Sequence, residues 1–372
     1  MPESWRSVRL GDVAEVRWGD TSTTKASYIP TGFLAYSATG PDGFLDHFDH
    51  QGPGIVLSAI GAQCGKSWFA DGQWSCIKNT IYVKGLPEHA DTRFLFYVTS
   101  APDFWPKRGA AQPFISQGDA RAKELLLPSL PTQRRIASIL GAYDDLIAVN
   151  RRRIALLEGM ARRLFDEWFV QFRFPGHGHQ GAAEAAAELP PGWRKAPLEE
   201  MLVLQRGFDL PAATRTAGPY PVIAATGPVG THFEAKVKGP GVTTGRSGTL
   251  GSVLLVFDDF WPLNTALYVR EFRRASPAYA LFLLRHLDLK AHGGGAAVPT
   301  LNRNHIHGLP VPCPPTELVA KFEEQAMVWL RLARVLERQQ AVLAASRGLL
   351  LPRLISGHLD VAAAERELEA AA

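Results

Sequence analysis

The chain repeats itself once, and that repeat limits its architecture more than any other feature of its 372 residues. Pro2-Glu3-Ser4-Trp5-Arg6 returns as Pro190-Pro191-Gly192-Trp193-Arg194, and Leu10 returns as Leu198, each 188 residues on. Ala38-Thr39-Gly40-Pro41-Asp42-Gly43 matches Ala225-Thr226-Gly227-Pro228-Val229-Gly230, and Gly52-Pro53-Gly54-Ile55 matches Gly239-Pro240-Gly241-Val242, both at an offset of 187. Asn79-Thr80 with Tyr82-Val83 matches Asn264-Thr265 with Tyr268-Val269. Gly109-Ala110-Ala111-Gln112-Pro113 matches Gly295-Ala296-Ala297-Val298-Pro299, and Pro128, Pro131 and Thr132 match Pro312, Pro315 and Thr316. The order never scrambles. A period of half the chain marks a duplicated domain rather than a solenoid, so two similar modules with an approximate internal two-fold are expected.

Each copy has two parts. The first is rich in Gly, Pro and β-branched residues, and its short apolar runs, such as Gly54 to Ser58 and Gly251 to Phe257, read as strands between turns. Helical stretches such as Ala278 to Leu287 intervene, so each module is expected to be mixed α/β (α+β). The second part is a long helix. Ile136, Leu140, Tyr143, Ile147, Asn150, Ile154, Leu157, Ala161, Leu164 and Trp168 advance by alternating steps of four and three. Leu318, Phe322, Gln325, Trp329, Leu332, Leu336, Gln339, Leu343, Ser346 and Leu350 repeat the ladder. Such a heptad seam predicts two helices that pair with each other as a coiled coil. Thr132 and Thr316 are candidate caps beside Pro131 and Pro315, and Pro352 and Gly357 close the second helix. With a Gly-, His- and Ala-rich linker from Pro175 to Glu188, antiparallel pairing is the simplest. The expected layout is module 1 at 1–131, helix 1 at 132–173, linker at 174–189, module 2 at 190–315, helix 2 at 316–357 and a tail at 358–372.

Composition removes several classes. No run of about 18 apolar residues occurs, so a membrane span is not expected. The N-terminus lacks a basic-then-apolar leader. The three cysteines, Cys64, Cys76 and Cys313, include no C-x-x-C pair, which argues against a disulfide scaffold or zinc ribbon and fits a reducing cytoplasm. A formal charge of +4 and a pI near 9.0 permit a nucleic-acid partner without demanding one.

Two modules held apart by a rod suit a polymer with two sites at a fixed spacing. A helix of about 35 residues is about 50 Å long, the length of about 15 base pairs of duplex DNA. At this point the chain resembles the specificity (S) subunit of Type I restriction–modification enzymes. The segments that carry the resemblance are Leu10-Gly11-Asp12-Val13 with Gly19, Gly61 to Gly65, Gly248 to Gly251, Leu127 to Ala137, Leu164 to Val170 and Leu350 to Gly357. They span Trp5 to Gly357, and the ordered set occurs twice. One departure is that Glu317-Leu318-Val319 stands where the first copy has Gln133-Arg134-Arg135. The resemblance implies two target-recognition domains and two antiparallel helices. It also implies a DNA-recognition subunit with no catalysis of its own, binding a bipartite asymmetric duplex site. Two methyltransferase subunits and two restriction/translocase subunits are the implied partners. S-adenosylmethionine, ATP and Mg²⁺ would belong to those partners, with no cofactor on this chain. On the helices, Arg134, Arg135, Arg151, Arg152, Arg153, Arg162 and Arg163 are candidates for docking them.

Candidate DNA-reading groups are polar and basic residues of the Gly-rich loops, since Arg suits guanine and Asn suits adenine in the major groove. In the first module these are Ser37, Thr39, Lys66, Lys78, Asn79 and Arg108. In the second they are Arg206, Thr226, Arg246, Ser247, Thr249, Asn264, Asn302 and Arg303. Competing motifs are weaker. Gly61-Ala62-Gln63-Cys64-Gly65-Lys66-Ser67 has three residues between its glycines where a P-loop needs four. Glu234-Ala235-Lys236, with Asp209 upstream, has a nuclease-like spacing that the first module lacks. His177-Gly178-His179 and His305-Ile306-His307 lack further ligands at metal-binding spacing. A DNA-recognition subunit of another methylation-based defence system is the alternative, and a nuclease using Glu234 and Lys236 a more distant one.

Overall fold

The computed structural model describes residues 5–177, 189–294, 299–359 and 361. Most of the linker, His179, the Gly295–Val298 match and most of the tail lie outside the described residues. The chain divides into two units, Met1–Asn150 with Arg338–Ala372, and Arg151–Glu337.

In the first unit a four-stranded antiparallel sheet has the order Ala14–Trp18, Thr80–Gly85, Gly54–Ser58, Ser67–Ala70. A second sheet orders Gly40–Leu45, Phe33–Ser37, Gln73–Cys76 and His50–Gln51. Arg6–Arg9 pairs separately with Glu124–Leu127. All five residues of Gly54–Ser58 are buried. The period of two explains why: Ile55 and Leu57 enter one core cluster with Leu10, Phe94 and Ile136, while Val56 faces another with Tyr36 and Trp74. Gly54 is needed because a Cβ there would lie 2.2 Å from the Trp74 ring.

The second unit repeats this plan. Its sheet orders Leu202–Arg206, Ala266–Phe272, Gly241–Gly245, Val253–Val256, and a three-stranded sheet orders Gly227–His232, Tyr220–Ala224, Trp261–Pro262. Arg194–Pro197 pairs with Pro310–Cys313. A Cβ on Gly241 would lie 2.6 Å from the Phe260 ring, so even the ring-on-glycine contact recurs. The internal repeat is therefore a repeated topology.

The long helices are Leu130–Phe165, followed by a π-helical turn at Asp166–Val170, and Thr316–Ile355. Within the first unit they run antiparallel. Ile136 and Leu140 share a cluster with Leu350 and Leu354. Further along, Asp144 pairs with Arg347 at 2.6 Å, and the Asn150 side-chain amide donates to Gln339 at 3.1 Å. The Tyr97 hydroxyl also donates to Asp144, at 2.7 Å, which ties the Thr92–Thr99 helix to this pairing. Within the second unit Ala161 and Phe165 share a cluster with Phe322, Ala326 and Leu330, and the Phe165 and Phe322 rings are 5.9 Å apart. The Glu323 carboxylate accepts from the Ser276 hydroxyl and the Ala278 amide, which caps the Pro277–His286 helix.

Of the seam residues, Ile136, Leu140, Ile147, Asn150, Leu318, Phe322, Leu336 and Leu350 are buried. Tyr143, Ile154, Leu157, Leu164, Trp329 and Leu343 are partly covered. Leu332 is a correction: it is 48% exposed. After Phe322 the buried positions are Ala326, Met327, Leu330, Ala333 and Leu336, so Ala326, Leu330 and Ala333 turn inward in place of the expected Gln325, Trp329 and Leu332 before the ladder resumes at Leu336. A straight helix has 3.6 residues per turn and drifts off a strict 3.5 repeat, and here the core selects the drifted face. Phe322 is fully buried among Phe165, Phe169, Tyr279 and Phe282. Phe322→Ala is expected to destabilise the chain by about 3–5 kcal/mol, read as a lower urea midpoint.

Candidate nucleic-acid interface

The side chains proposed to read DNA fall into three groups once their contacts are traced, with Asn302 in both the first and the third. The first is tied up internally. Ser37 is buried, and its hydroxyl donates to Asp42 at 2.8 Å. The Thr39 hydroxyl donates to Asp42 as well and accepts from Lys25 at 2.7 Å. Burial opposes the charge on Asp42, but hydrogen bonds from Lys25, Thr39, Ser37 and Tyr28 outweigh it and hold its pKa at about 2. Arg108 donates to Asp119, the carboxylate that completes the capping box of the Gln117–Ala122 helix. The Asn302 side chain caps the Arg303–His307 helix by accepting from the Asn304 amide at 3.0 Å.

The second group shapes turns. Asn79 has φ 70°, the left-handed region that Asn tolerates, and its carbonyl accepts from the Ala59 amide. Ser247 donates its amide to Thr265 and bridges to Thr300, while Thr226, Thr249 and Lys78 are exposed. Lys66 is exposed, with its ammonium 5.4 Å from the Trp68 ring centre.

The third group converges. Arg206, Arg246, Asn302 and Arg303 line one shallow depression of about 400 Å³, together with Thr300 and Leu301. Asp209 accepts from Arg206 at 3.4 Å and from the Asn264 amide, and the Asn264 carbonyl accepts from Arg246 at 3.3 Å. Asp209 therefore sets the orientation of two of the proposed reading groups. Its link to Asn264 crosses 55 residues of sequence and gives no local signal.

Backbone hydrogen bonds place the two units in register residue by residue. The Ala59 amide donates to Asn79, as the Arg246 amide does to Thr265. The Ile115 amide donates to Ala59, as Leu301 does to Arg246. The Gly19 amide donates to Thr80, as Gly207 does to Ala266. Asn79 is thus equivalent to Thr265, and Asn264 to Lys78; the Asn-Thr match seen in the sequence is one residue out of the structural frame. In this register Arg206, Arg246 and Arg303 stand where the first unit has Trp18, Ala59 and Gln117. Lys66 and Arg108 stand where the second has Ser252 and Gly294.

The competing motifs have structural placements. Lys236 lies 3.5 Å from Glu234 and 4.7 Å from the Trp261 ring centre. His307 accepts from the Leu204 amide at 2.9 Å, and burial lowers its pKa. His305 sits in the same short Arg303–His307 helix, and His177 stacks on Phe174. No group of three or more His, Cys, Asp or Glu side chains that could hold a metal occurs among the described residues. Cys64, Cys76 and Cys313 are buried free thiols, and burial pushes the Cys76 thiol up to about 12. No helix among the described residues is long and apolar enough to cross a membrane.

The depressed pKa of Asp42 fixes the sign of a pH effect. A carboxylate held below its unfolded value stabilises the fold above that value, and the contribution is lost as pH falls through the folded one. Asp42→Asn is expected to cost roughly 1–2 kcal/mol at neutral pH. Denaturant titrations should show the gap from wild type closing between the ordinary value of 3.8 and about 2.

Comparison with known proteins agrees with this arrangement. The family model for the Type I restriction modification DNA specificity domain matches residues 2–159. The Type I restriction enzyme MjaIX specificity subunit of Methanocaldococcus jannaschii is 30% identical over 104 residues, 28% of this chain and 24% of that one. The MjaVIII specificity subunit of the same organism is 23% identical over 225 residues, 56% of this chain and 51% of that one. The chain thus spans from about a quarter to about half the length of these curated relatives. The crystal structure of a Type I restriction–modification system S subunit from M. genitalium matches with a TM-score of 0.74, covering 95% of this chain and 96% of that one at 16% identity, a likeness of fold. Family model, curated relatives and fold point the same way: residues 2–159 match the Type I restriction modification DNA specificity domain, and the fold of the chain is that of an S subunit of such a system.

Proposed function

We propose that this chain selects the DNA sequence on which a Type I restriction–modification enzyme acts. Each unit reads one half of a bipartite, asymmetric duplex site through its Gly-rich loops, and the chain contributes no catalysis. The observation that carries this reading is the exchange of side chains on a common frame. Where matching backbone hydrogen bonds set the register of the two units, Trp18, Ala59 and Gln117 are replaced by Arg206, Arg246 and Arg303, and Lys66 and Arg108 by Ser252 and Gly294. A duplicated enzyme would keep its reacting groups. A duplicated reader changes the side chains that face bases and keeps the scaffold, because phosphate contacts position a protein while base contacts specify the sequence. Arginines in the second unit suit guanine edges.

The helices supply a surface for the methyltransferase and restriction subunits. In the second unit Val328, Leu332 and Val335 are 60%, 48% and 59% exposed along one face, and Leu156 and Met160 are exposed on the other helix. Spacings of four and three make this a second apolar stripe, outside the buried seam, of the kind that receives a partner helix. Arg151, Arg152, Arg153, Arg162 and Arg163 add exposed positive charge on the helix that carries Leu156 and Met160, and Arg134 and Arg135 are exposed near its start. S-adenosylmethionine, ATP and Mg²⁺ chemistry belongs to those partners, in the cytoplasm where the genome is methylated.

Single-molecule methylome sequencing of the native host, with and without the gene, tests the reading. N6-methyladenine at a split motif with a fixed gap, lost on deletion, is the expected result. A methylome unaffected by deletion, with the neighbouring methyltransferase expressed, would overturn it. Arg246→Ala is expected to weaken binding to the identified site by about 1–3 kcal/mol and to relax the second half-site only, measured by gel-shift titration against single-base variants.

A further inference from the structure

The Gly61–Gly65 turn and the Gly248–Gly251 turn occupy the same place in their units: the Gly61 amide donates to Pro113 and the Gly248 amide to Pro299. Each begins and ends on left-handed glycines, with φ 99° and 89° in the first unit and 82° and 75° in the second. At the leading glycines, Gly61 and Gly248, no described atom lies within 4 Å of where a Cβ would sit, so each tip is open. At the closing glycines a lysine stem lies against the backbone. A Cβ on Gly65 would be 2.5 Å from the Lys107 Cε, and one on Gly251 would be 2.9 Å from the Lys290 Cγ. Each closing glycine supplies the left-handed φ of its turn, and the lysine stem lies over it.

The two lysines do not correspond in the chain. In the register set by the Arg108–Phe114 and Gly294–Thr300 pairings Lys107 falls beside Gly293, and Lys290 lies upstream, where the first unit has Asp103-Phe104-Trp105-Pro106 and no lysine. Each unit therefore brings an exposed ammonium to the same turn from a different position, although the side chains that distinguish the units have diverged around it. A scaffold role would keep the position; keeping the charge and changing its origin points to a shared anionic ligand. Neither lysine makes an ion pair among the described residues.

We propose that Lys107 and Lys290 are phosphate clamps, one in each unit, that hold the DNA backbone at the Gly turn whatever the sequence, while the neighbouring arginines and polar groups read bases. This assignment rests on the DNA-recognition reading above. Lysine suits the task because it binds phosphate as a point charge and carries no base preference at that place.

The test uses the full chain and a labelled mixed-sequence duplex of 30 base pairs, with affinity measured by anisotropy across a KCl series. Lys107→Met and Lys290→Met keep an aliphatic stem over the glycine and remove only the charge. Each is expected to flatten the slope of log K against log salt by about one, the two together by about two, and Lys→Arg is expected to restore it. Lys321→Met, an exposed lysine on the second long helix, should leave the slope unchanged. If wild type binds with a steep slope and the Met variants share it, the clamp assignment falls and DNA recognition stands. If wild type shows no salt-dependent binding, both fall. A flattening that Lys321→Met reproduces would also overturn the assignment, since it would report net charge alone.

Discussion

Burial of Leu350 and Leu354 beside Ile136 and Leu140 is the contact on which the first unit depends. Without it the cluster that holds Leu10, Phe94 and Ile136 would lose the cover that these two side chains give it. At roughly 1.5–3 kcal/mol for each fully buried aliphatic side chain, the helix end contributes a sizeable part of a typical domain's net stability of about 5–15 kcal/mol. The hydrogen bond from buried Asn150 to the exposed Gln339 contributes little energy. Sliding the helices by one turn would leave the Asn150 amide, fully buried here, without its acceptor, so the pair fixes the register that apolar residues alone would leave loose.

Much of this organisation was legible in the sequence. The collinear matches from Trp5 to Pro315 announced a repeated topology, and the apolar ladder announced two long helices. What could not be read was the phase of that ladder between Phe322 and Leu336, because the core of the second unit decides whether Leu332 or Ala333 turns inward. The pairing of Asn79 with Asn264 misled for a related reason. An identical dipeptide slipped by one residue looks like equivalence, whereas backbone hydrogen bonds assign Asn79 to Thr265.

The candidate site was legible in part. Arg206, Arg246, Asn302 and Arg303 do come together, since the end of the Leu202–Arg206 strand, the residue after Gly241–Gly245 and the start of the Arg303–His307 helix line one depression. Ser37 and Thr39 were drawn from the same loop chemistry, yet Asp42 engages both, and in the second unit Val229 stands in its place. Asp209, Lys107 and Lys290 had no sequence signal for these roles: the first acts across 55 residues of sequence, and the other two reach one turn from unmatched positions. Polar loop residues announce the chemistry available to a surface, and only the fold assigns it to scaffold or to ligand.

The division of the chain has a consequence for biosynthesis. The second unit is a continuous segment, Arg151–Glu337, whereas the first needs Arg338 onward to close over its core. On the ribosome, then, the segment made first is the one finished last. Its apolar surface waits through the translation of the whole second unit, about 10–40 seconds at bacterial elongation speeds. Among destabilising substitutions, those around Leu10, Phe94 and Ile136 would fall on this prolonged intermediate, and they should lower the yield of folded protein more than their equilibrium cost implies.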